Sequence, residues 1–390
     1  MKIASRMENL SPSVTMAITA LARELKAQGK DVLSFSAGEP DFDTPDVIKQ
    51  AAIKAIIDGH TKYTAVEGTV ETKKAIINKL KKDHGLEYNL DEIIVSNGAK
   101  HSLFNLFQCL IEEGDEVVIP APYWVTYPEQ VKYSGGVPVF IETDDTTSFK
   151  ITAEQLKAAI TPKTKILLLN TPSNPTGAVY SEEELASIGK VLEGTDILVF
   201  SDEMYEKIIY DGKKFTAAAQ VSEDMFKRTV TINGISKAVA MTGWRYGYIA
   251  TPHKDLVKAM IKLQGQVTSN VNSVTLQAAI TAMDGSADDD IEKMRVEFEK
   301  RRDVAIEQFN AIPGITCVKP EGAFYLFVNI KGVDEDSMRF SADLLEKEGV
   351  AVVPGLAFGT EGYFRFSFAT DLATIEEGIR RVKRFVENNY

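Results

Sequence analysis

Thr229-Val-Thr-Ile232-Asn233-Gly-Ile-Ser236-Lys237-Ala-Val-Ala-Met-Thr-Gly243-Trp-Arg245-Tyr-Gly247 decides how the rest of the chain is read. Its first four residues are β-branched or apolar and predict a strand. Lys237 then lies just past the end of that strand, where open α/β sheets place their ligands. Ser236 and Arg245 flank it with a hydroxyl and a fixed positive charge, a combination suited to a phosphate. The stretch describes an imine-forming amine beside a phosphate-bearing aldehyde cofactor held covalently. A solvated strand-end lysine is the alternative that these residues alone leave standing.

Working outward, short apolar runs recur at Ile93–Val95, Val117–Ile119, Ile166–Leu169, Ile197–Phe200, Val230–Ile232 and Tyr248–Ala250. Runs of this length separated by helical stretches predict an α/β fold whose mainly parallel sheet is covered on both faces. Thr44 is expected to cap a helix that opens at Pro45 and stops near Gly59, with Val47, Ile48, Ala51, Ala52, Ala55 and Ile56 as its inward stripe. A second helix is expected after the turn Ser96-Asn-Gly98-Ala99-Lys100, because Leu103, Leu106, Phe107 and Leu110 recur at helical spacing. Free N–H groups at that turn suit phosphate oxygens. The acidic segment Asp284–Asp290 breaks the pattern, and a charged helix from about Ile291 and a strand-like run Phe324–Val328 follow. A smaller domain is expected to start there, joined by an N-terminal helix around Met16 to Gln28.

At 390 residues the chain is long enough for about two domains. Its 44% hydrophobic and 26% charged residues are those of a globular protein, and no apolar run is long enough for a membrane span. The N-terminus lacks an apolar leader, which predicts a cytoplasmic protein. A net charge of −12 argues against nucleic acid as a partner. Cys109 and Cys317 are read as reduced core thiols. His60, His84, His101 and His253 lack metal-ligand spacing and are read as surface or helix residues, so no metal is expected.

Further residues complete a chemistry around Lys237. Asp202 and Tyr205 follow the run Ile197–Phe200 and fall at the carboxyl edge of the sheet. A carboxylate there would keep a pyridine nitrogen protonated, and a protonated ring withdraws electrons from a carbanion. Tyr205 and Asn174 both have hydrogens to donate to a ring oxygen. Asn174 sits in Asn170-Thr-Pro172-Ser-Asn174-Pro175-Thr-Gly177, where two prolines restrict the backbone. Trp124 offers a flat face for stacking and equally suits a core. Arg365, among aromatic residues in Gly362-Tyr-Phe-Arg365-Phe-Ser-Phe, needs an anion: either an internal Asp or Glu, or a bidentate carboxylate ligand.

Taken in order, nine motifs carry a resemblance that runs nearly end to end. They are Ser11-Pro-Ser13-Val-Thr15, Ala37-Gly38-Glu-Pro-Asp-Phe42, Tyr63-Thr64, Gly98-Ala99-Lys100, Pro122-Tyr-Trp124, Asn170 to Gly177, Ser201-Asp202-Glu-Met-Tyr205, Ser236-Lys237 with Gly243-Trp-Arg245, and Phe364-Arg365-Phe-Ser367. The chain resembles the class I (fold-type I) pyridoxal-phosphate aminotransferases, and within them the bacterial aspartate aminotransferases of the aspartate/prephenate subgroup. The resemblance implies a large pyridoxal 5′-phosphate-binding domain, residues 41–289, with a seven-stranded, mainly parallel sheet flanked by helices. It also implies a smaller α+β domain, residues 1–40 with 290–390, that closes over the substrate.

By resemblance, Lys237 is the Schiff-base lysine, Asp202 the partner of the pyridine nitrogen, and Asn174 and Tyr205 donors to the ring oxygen. Gly98, Ala99, Ser236 and Arg245 resemble the phosphate site, joined by Tyr63 from the neighbouring subunit of a homodimer, and Trp124 the residue stacked on the ring. Arg365, with Asn174 and the Gly38 backbone, resembles the clamp on the substrate α-carboxylate. Lys100, Ser13 and Thr15 correspond to the residues that receive a distal carboxylate. The implied reaction is a ping-pong transfer between L-aspartate and 2-oxoglutarate, giving oxaloacetate and L-glutamate, with amino acids and 2-oxo acids as substrates. Glutamate/aspartate-prephenate or aromatic transamination is the alternative, and a cysteine-conjugate β-lyase the alternative of another class. Departures at Thr69, Thr72, His101, Val239, Val271, Val328 and Leu356 bear on loop rigidity and substrate shape.

Overall fold

A computed structural model describes residues 1–8 and 10–390. Its strands are β1 (Leu33–Ser34), β2 (Ile93–Ser96), β3 (Glu116–Ala121), β4 (Val137–Glu142), β5 (Thr164–Asn170), β6 (Leu198–Asp202), β7 (Thr229–Gly234), β8 (Gly247–Ala250), β9 (Thr316–Cys317), β10 (Tyr325–Asn329), β11 (Val350–Ala351), β12 (Val353–Pro354) and β13 (Tyr363–Ser367). Strands β2 to β8 form one seven-stranded sheet in the order β2-β8-β7-β6-β5-β3-β4. Only β8 runs antiparallel to its neighbours. All six expected runs are strands of this sheet, and β2, β7 and β8 are buried along their whole length. Helices cover both faces, as a parallel sheet of apolar strands requires.

The seventh strand, β4, has no counterpart among the expected runs. It is an edge strand with Val137 47% and Phe140 39% exposed, and its apolar run over residues 137–141 carries a proline at its second position. Pro138 also reads as a strand breaker, yet an edge strand tolerates it because one row of N–H groups needs no ladder partner.

The helix Asp46–Ile57 corrects two expectations. Thr44 does not cap it: Pro45 occupies the N-cap position without a side-chain bond, and the Thr44 hydroxyl donates to the Ala240 carbonyl at 2.8 Å. Its buried stripe is Ile48, Ala52 and Ala55, packed toward the helix Ser273–Met283, whereas Val47 and Ile56 face outward. Ile53 and Ile57 are exposed too, so this helix is apolar around most of its circumference and periodicity could not select one face. The helix after β2 spans Ala99–Leu110 and buries Leu103, Leu106 and Phe107 as expected. At Thr69 the departure from the family pattern has a local reason, since its hydroxyl caps the helix Val70–His84 by accepting from the Thr72 N–H at 3.2 Å.

The charged helix begins at Asp288, three residues before the expected Ile291, and runs to Asn310. The expected strand Phe324–Val328 is β10, which sits in an antiparallel sheet of order β12-β13-β10-β9. The N-terminal helix spans Val14–Ala27 with Ser13 as its cap. The strand that follows it, β1, pairs in parallel with β11, so the N-terminal segment is tied to the C-terminal third.

His84 is a helix residue, as read, but its side chain is not at the surface. It is 6% exposed, and its Nε2 lies 2.6 Å from Glu206. Asp83, His84 and Glu206 bring ligand-type atoms within 4.8 Å of one another. Lys79 and Lys207 already supply positive charge to these carboxylates. Cys317 is buried, Cys109 half-buried, and both are free thiols. Among the described residues no helix is long and apolar enough to cross a membrane.

Candidate active site

The carboxyl ends of β5, β6 and β7 converge with the first turn of the helix Ala99–Leu110 on a cavity of about 380 Å³. Of the nominated residues, Ser13, Thr15, Gly38, Ala99, Lys100, Trp124, Asn174, Asp202, Tyr205, Ser236, Lys237, Arg245 and Arg365 all line it. Two do not. Gly98 lies behind the Arg245 guanidinium, where a Cβ would stand 2.5 Å from Nη2. Tyr63 is 90% exposed and outside the lining.

Lys237 follows β7 directly, and its ammonium donates to the Gly38 carbonyl. Burial pushes its amine down to about 8, with Arg365 and Arg245 adding to the effect and Glu39 opposing it. Asp202, the last residue of β6, is 4% exposed. Its carboxylate accepts from the Tyr127 hydroxyl at 2.7 Å and from the Met204 N–H at 3.2 Å. Burial nonetheless raises its pKa to about 6. Tyr205 pairs hydroxyl to hydroxyl with Tyr325 at 2.9 Å, and burial holds its phenol well above the ordinary range.

At the start of the helix Ala99–Leu110, Gly98 adopts φ 87° as the N-cap and Gly247 presses its Cα against the Gly98–Ala99 backbone, leaving no room for a Cβ at either position. The first-turn N–H groups of Ala99 and Lys100 therefore meet Arg245 and Ser236 at one corner of the cavity. Arg245 itself takes φ 57° and donates to the Thr242 carbonyl at 3.0 Å, which turns its fork back toward that corner.

At the other side, Arg365 on β13 is 2% exposed. Its Nη1 donates to Asn174 Oδ1 at 2.9 Å and its Nη2 to the Ser36 carbonyl at 2.7 Å, while Nε has no partner. Among the described residues no carboxylate pairs with it, so the internal ion pair is not formed. Asn174 is fixed in turn by its own N–H, which donates to Asn170 Oδ1 at 2.8 Å. Trp124 is half-buried: it packs against the core edge-on to Tyr127 and also lines the cavity, with Lys100 Nζ 4.8 Å from its ring centroid. Ser13 and Thr15 reach the same wall from the start of the first helix.

Tyr127, Tyr325, Asn170 and Thr242 also line the cavity and were not singled out in the sequence. Tyr127 was the most legible of these in the sequence, because it stands three residues after Trp124, and its N–H donates to the Trp124 carbonyl at 3.0 Å. Tyr325 sits inside an unbroken apolar run, which marks a buried strand but not which of its side chains meets a ligand.

Comparison with known proteins agrees with this geometry. Residues 30–382 match the family described as Aminotransferase class I and II. The chain is 50% identical to the aspartate aminotransferase of Bacillus subtilis (strain 168), with 100% of each chain covered. It is 47% identical to a probable aspartate/prephenate aminotransferase of Rickettsia felis, over 98% of this chain and 96% of that one. The crystal structure of the aspartate aminotransferase from Rhizobium meliloti superposes with a TM-score of 0.96 at 44% identity, covering 99% of both chains. A lysine at a parallel-sheet edge, a corner of free helix N–H groups beside Arg245, and a buried arginine that pairs with no carboxylate among the described residues thus occur in a chain that belongs to the class I and II aminotransferases.

Proposed function

We propose that the chain is an aspartate aminotransferase that uses pyridoxal 5′-phosphate to move an amino group reversibly between L-aspartate and 2-oxoglutarate, giving oxaloacetate and L-glutamate. The observation that carries this reading is Arg365, a buried guanidinium that pairs with no carboxylate among the described residues, facing one cavity with the depressed amine of Lys237.

The residues fit the cofactor. Ala99 and Lys100 N–H groups, Ser236 and Arg245 suit its phosphate, and Gly98 and Gly247 leave space only for backbone there. Asp202, a buried carboxyl with no cation bonded to it among the described residues, suits the pyridine nitrogen. Asn174 accepts from Arg365 through its oxygen, which leaves its NH2 to donate to the ring oxygen beside the Tyr205 hydroxyl. Trp124 offers a ring face for stacking. When bound, the cofactor supplies an electron sink for the charge that develops at the substrate Cα.

The chain's own residues then divide the work. Arg365, with Asn174 and the Gly38 backbone, holds the α-carboxylate, and Lys100, Ser13 and Thr15 receive the side-chain carboxylate. Lys237 Nζ takes the proton from Cα and returns it, and an amine near 8 keeps a useful neutral fraction at physiological pH. Residues 1–40 with 290–390 act as the smaller domain that closes on the dicarboxylate and excludes water from the larger 41–289. Tyr63, exposed and outside the lining of its own cavity, supports a homodimer in which it completes the phosphate site of the second copy. We place the enzyme in the cytoplasm, where free thiols such as Cys109 and Cys317 stay reduced.

A second reading, transfer to prephenate or an aromatic 2-oxo acid, is favoured by Lys100, a mobile point charge lying over Trp124 that can swing aside. A half-reaction panel decides between them. Cofactor-loaded protein is mixed with aspartate, glutamate, tyrosine, arogenate or alanine, and loss of the visible cofactor band is followed. Rapid loss with aspartate and glutamate is expected. Failure of both would sink the aspartate assignment and leave the aminotransferase class standing, and release of pyruvate and thiol from a cysteine conjugate without an acceptor would point to a lyase.

A further inference from the structure

We propose that Tyr325 is the positioning residue that joins the two halves of this site, orienting Tyr205 through its hydroxyl and Arg365 through its ring face. The inference rests on the aminotransferase reading above.

The register of the antiparallel ladder explains how one side chain reaches both. Arg365 on β13 stands opposite Phe327 on β10. Tyr325 lies two residues along β10 and therefore projects from the same face, diagonal to Arg365 and within reach of an aromatic ring. The Arg365 guanidinium carbon is 4.5 Å from the Tyr325 ring centroid and 5.1 Å from that of Phe358. Two rings thus close on the guanidinium carbon and restrict its movement, while Nε is an unused donor. A buried cation that lacks an anion gains most from such contacts, since water does not compete for it. The ring of Tyr325 thus holds the fork in the plane in which a carboxylate can take two N–H bonds at once.

The hydroxyl of the same residue acts in the other direction. Tyr205 and Tyr325 each carry one hydroxyl hydrogen and stand 2.9 Å apart. When Tyr325 donates, Tyr205 accepts, and the hydrogen of Tyr205 is free for a ligand in the cavity. Accepting one hydrogen bond polarises a hydroxyl and strengthens the bond it donates. Gly38 closes the third side, because a Cβ at that position would stand 3.2 Å from the Tyr325 oxygen. A tyrosine is required for both roles: phenylalanine keeps the ring contact and loses the relay, whereas leucine loses both.

Two variants of the cofactor-loaded protein separate the contributions. Each is read by the pH midpoint of the visible cofactor band and by the dissociation constant for succinate, a dicarboxylate without an amino group. Tyr325→Phe is expected to shift the midpoint upward by roughly half a pH unit with succinate affinity retained. Tyr325→Leu is expected to show the same shift and, in addition, succinate binding weakened about tenfold. Near-parental thermal unfolding of Tyr325→Phe keeps the comparison valid, because the substitution leaves the packed ring in place. A parental midpoint in Tyr325→Phe overturns the relay, and parental succinate affinity in Tyr325→Leu overturns the support of Arg365. Absence of a visible band or of succinate binding in the parent protein itself overturns the functional reading, and the role of Tyr325 with it.

Discussion

The Tyr127 hydroxyl donates to Asp202 at 2.7 Å, and this bond opposes the burial that pushes the Asp202 carboxyl up to about 6. Donation favours the ionised form, so its loss raises the pKa further. Tyr127→Phe keeps the ring and removes only the donor. Because the ionised carboxylate is the form that holds a pyridinium, the acid limb of kcat/KM is expected to move up by about one pH unit, with cofactor affinity weakened roughly tenfold. A pH–rate profile and an absorbance titration of the cofactor-free protein measure both, and an unmoved limb would remove Tyr127 from the site's electrostatics.

The Lys237 ammonium donates within the cavity to the Gly38 carbonyl. Lys237→Ala is expected to retain the cofactor through the phosphate corner, to lose the visible band, and to reduce transamination by roughly 10⁴-fold or more. Spectra and single-turnover mixing with aspartate test this together. Undiminished turnover would show that the Cα proton moves by another route.

Glu203, next to Asp202 in the chain, points away from the cavity and is fully buried. One carboxyl oxygen accepts from Ser201 at 2.8 Å and from the Ala218 N–H at 3.2 Å, and the other has no partner. Burial raises its pKa to about 7, so the fold binds a proton that the unfolded chain releases above its ordinary carboxylate range. The parent therefore loses stability as pH rises from about 4.5 to about 7. Glu203→Gln lacks this dependence. Relative to the parent it is expected to gain on the order of 3 kcal/mol between pH 4.5 and pH 8 in urea unfolding of the cofactor-free protein. Equal pH dependence of the two proteins would contradict a neutral Glu203.

Gly98 combines a left-handed φ of 87° with a Cβ position 2.5 Å from Arg245 Nη2. Gly98→Ala must displace the guanidinium or the first turn of the helix. Cofactor affinity is expected to fall by at least tenfold, with aspartate KM changed far less once the protein is saturated. Isothermal titration with pyridoxal 5′-phosphate gives the first value and steady-state kinetics the second.

How much of this was legible in the chain follows from what each residue depends on. Lys237, Asp202 and Asn174 fall at strand ends, and a buried strand announces itself by an apolar run, so local pattern located them. Their partners depend on contacts between distant elements. The ring of Tyr325 meets Arg365 only through the register of β10 on β13, and Tyr127 meets Asp202 across 75 residues of chain. Thr44 looked like a cap because its type is right for one, yet its hydroxyl found a carbonyl 196 residues away. Val47 and Ile56 read as part of the inward stripe of the helix Asp46–Ile57 for the opposite reason, since they are apolar without being buried in this chain.

Under the proposed function, substrate choice rests on Lys100, which lines the cavity. Its ammonium lies 4.8 Å from the Trp124 ring centroid, and desolvation in the cavity, followed by the charge of Arg245, lowers its pKa. Bringing a carboxylate to it restores a favourable charge pair, so a dicarboxylic substrate gains what a neutral one does not. Lys100→Met keeps the stem's contact with Trp124 and removes only the charge. Its expected signature is a ten- to hundredfold loss in kcat/KM for aspartate and glutamate, with tyrosine and alanine changed by less than about threefold. Equal losses for all four amino acids would mean that Lys100 serves the phosphate corner instead, where its backbone N–H already lies, and distal-carboxylate selection would then rest on Ser13 and Thr15.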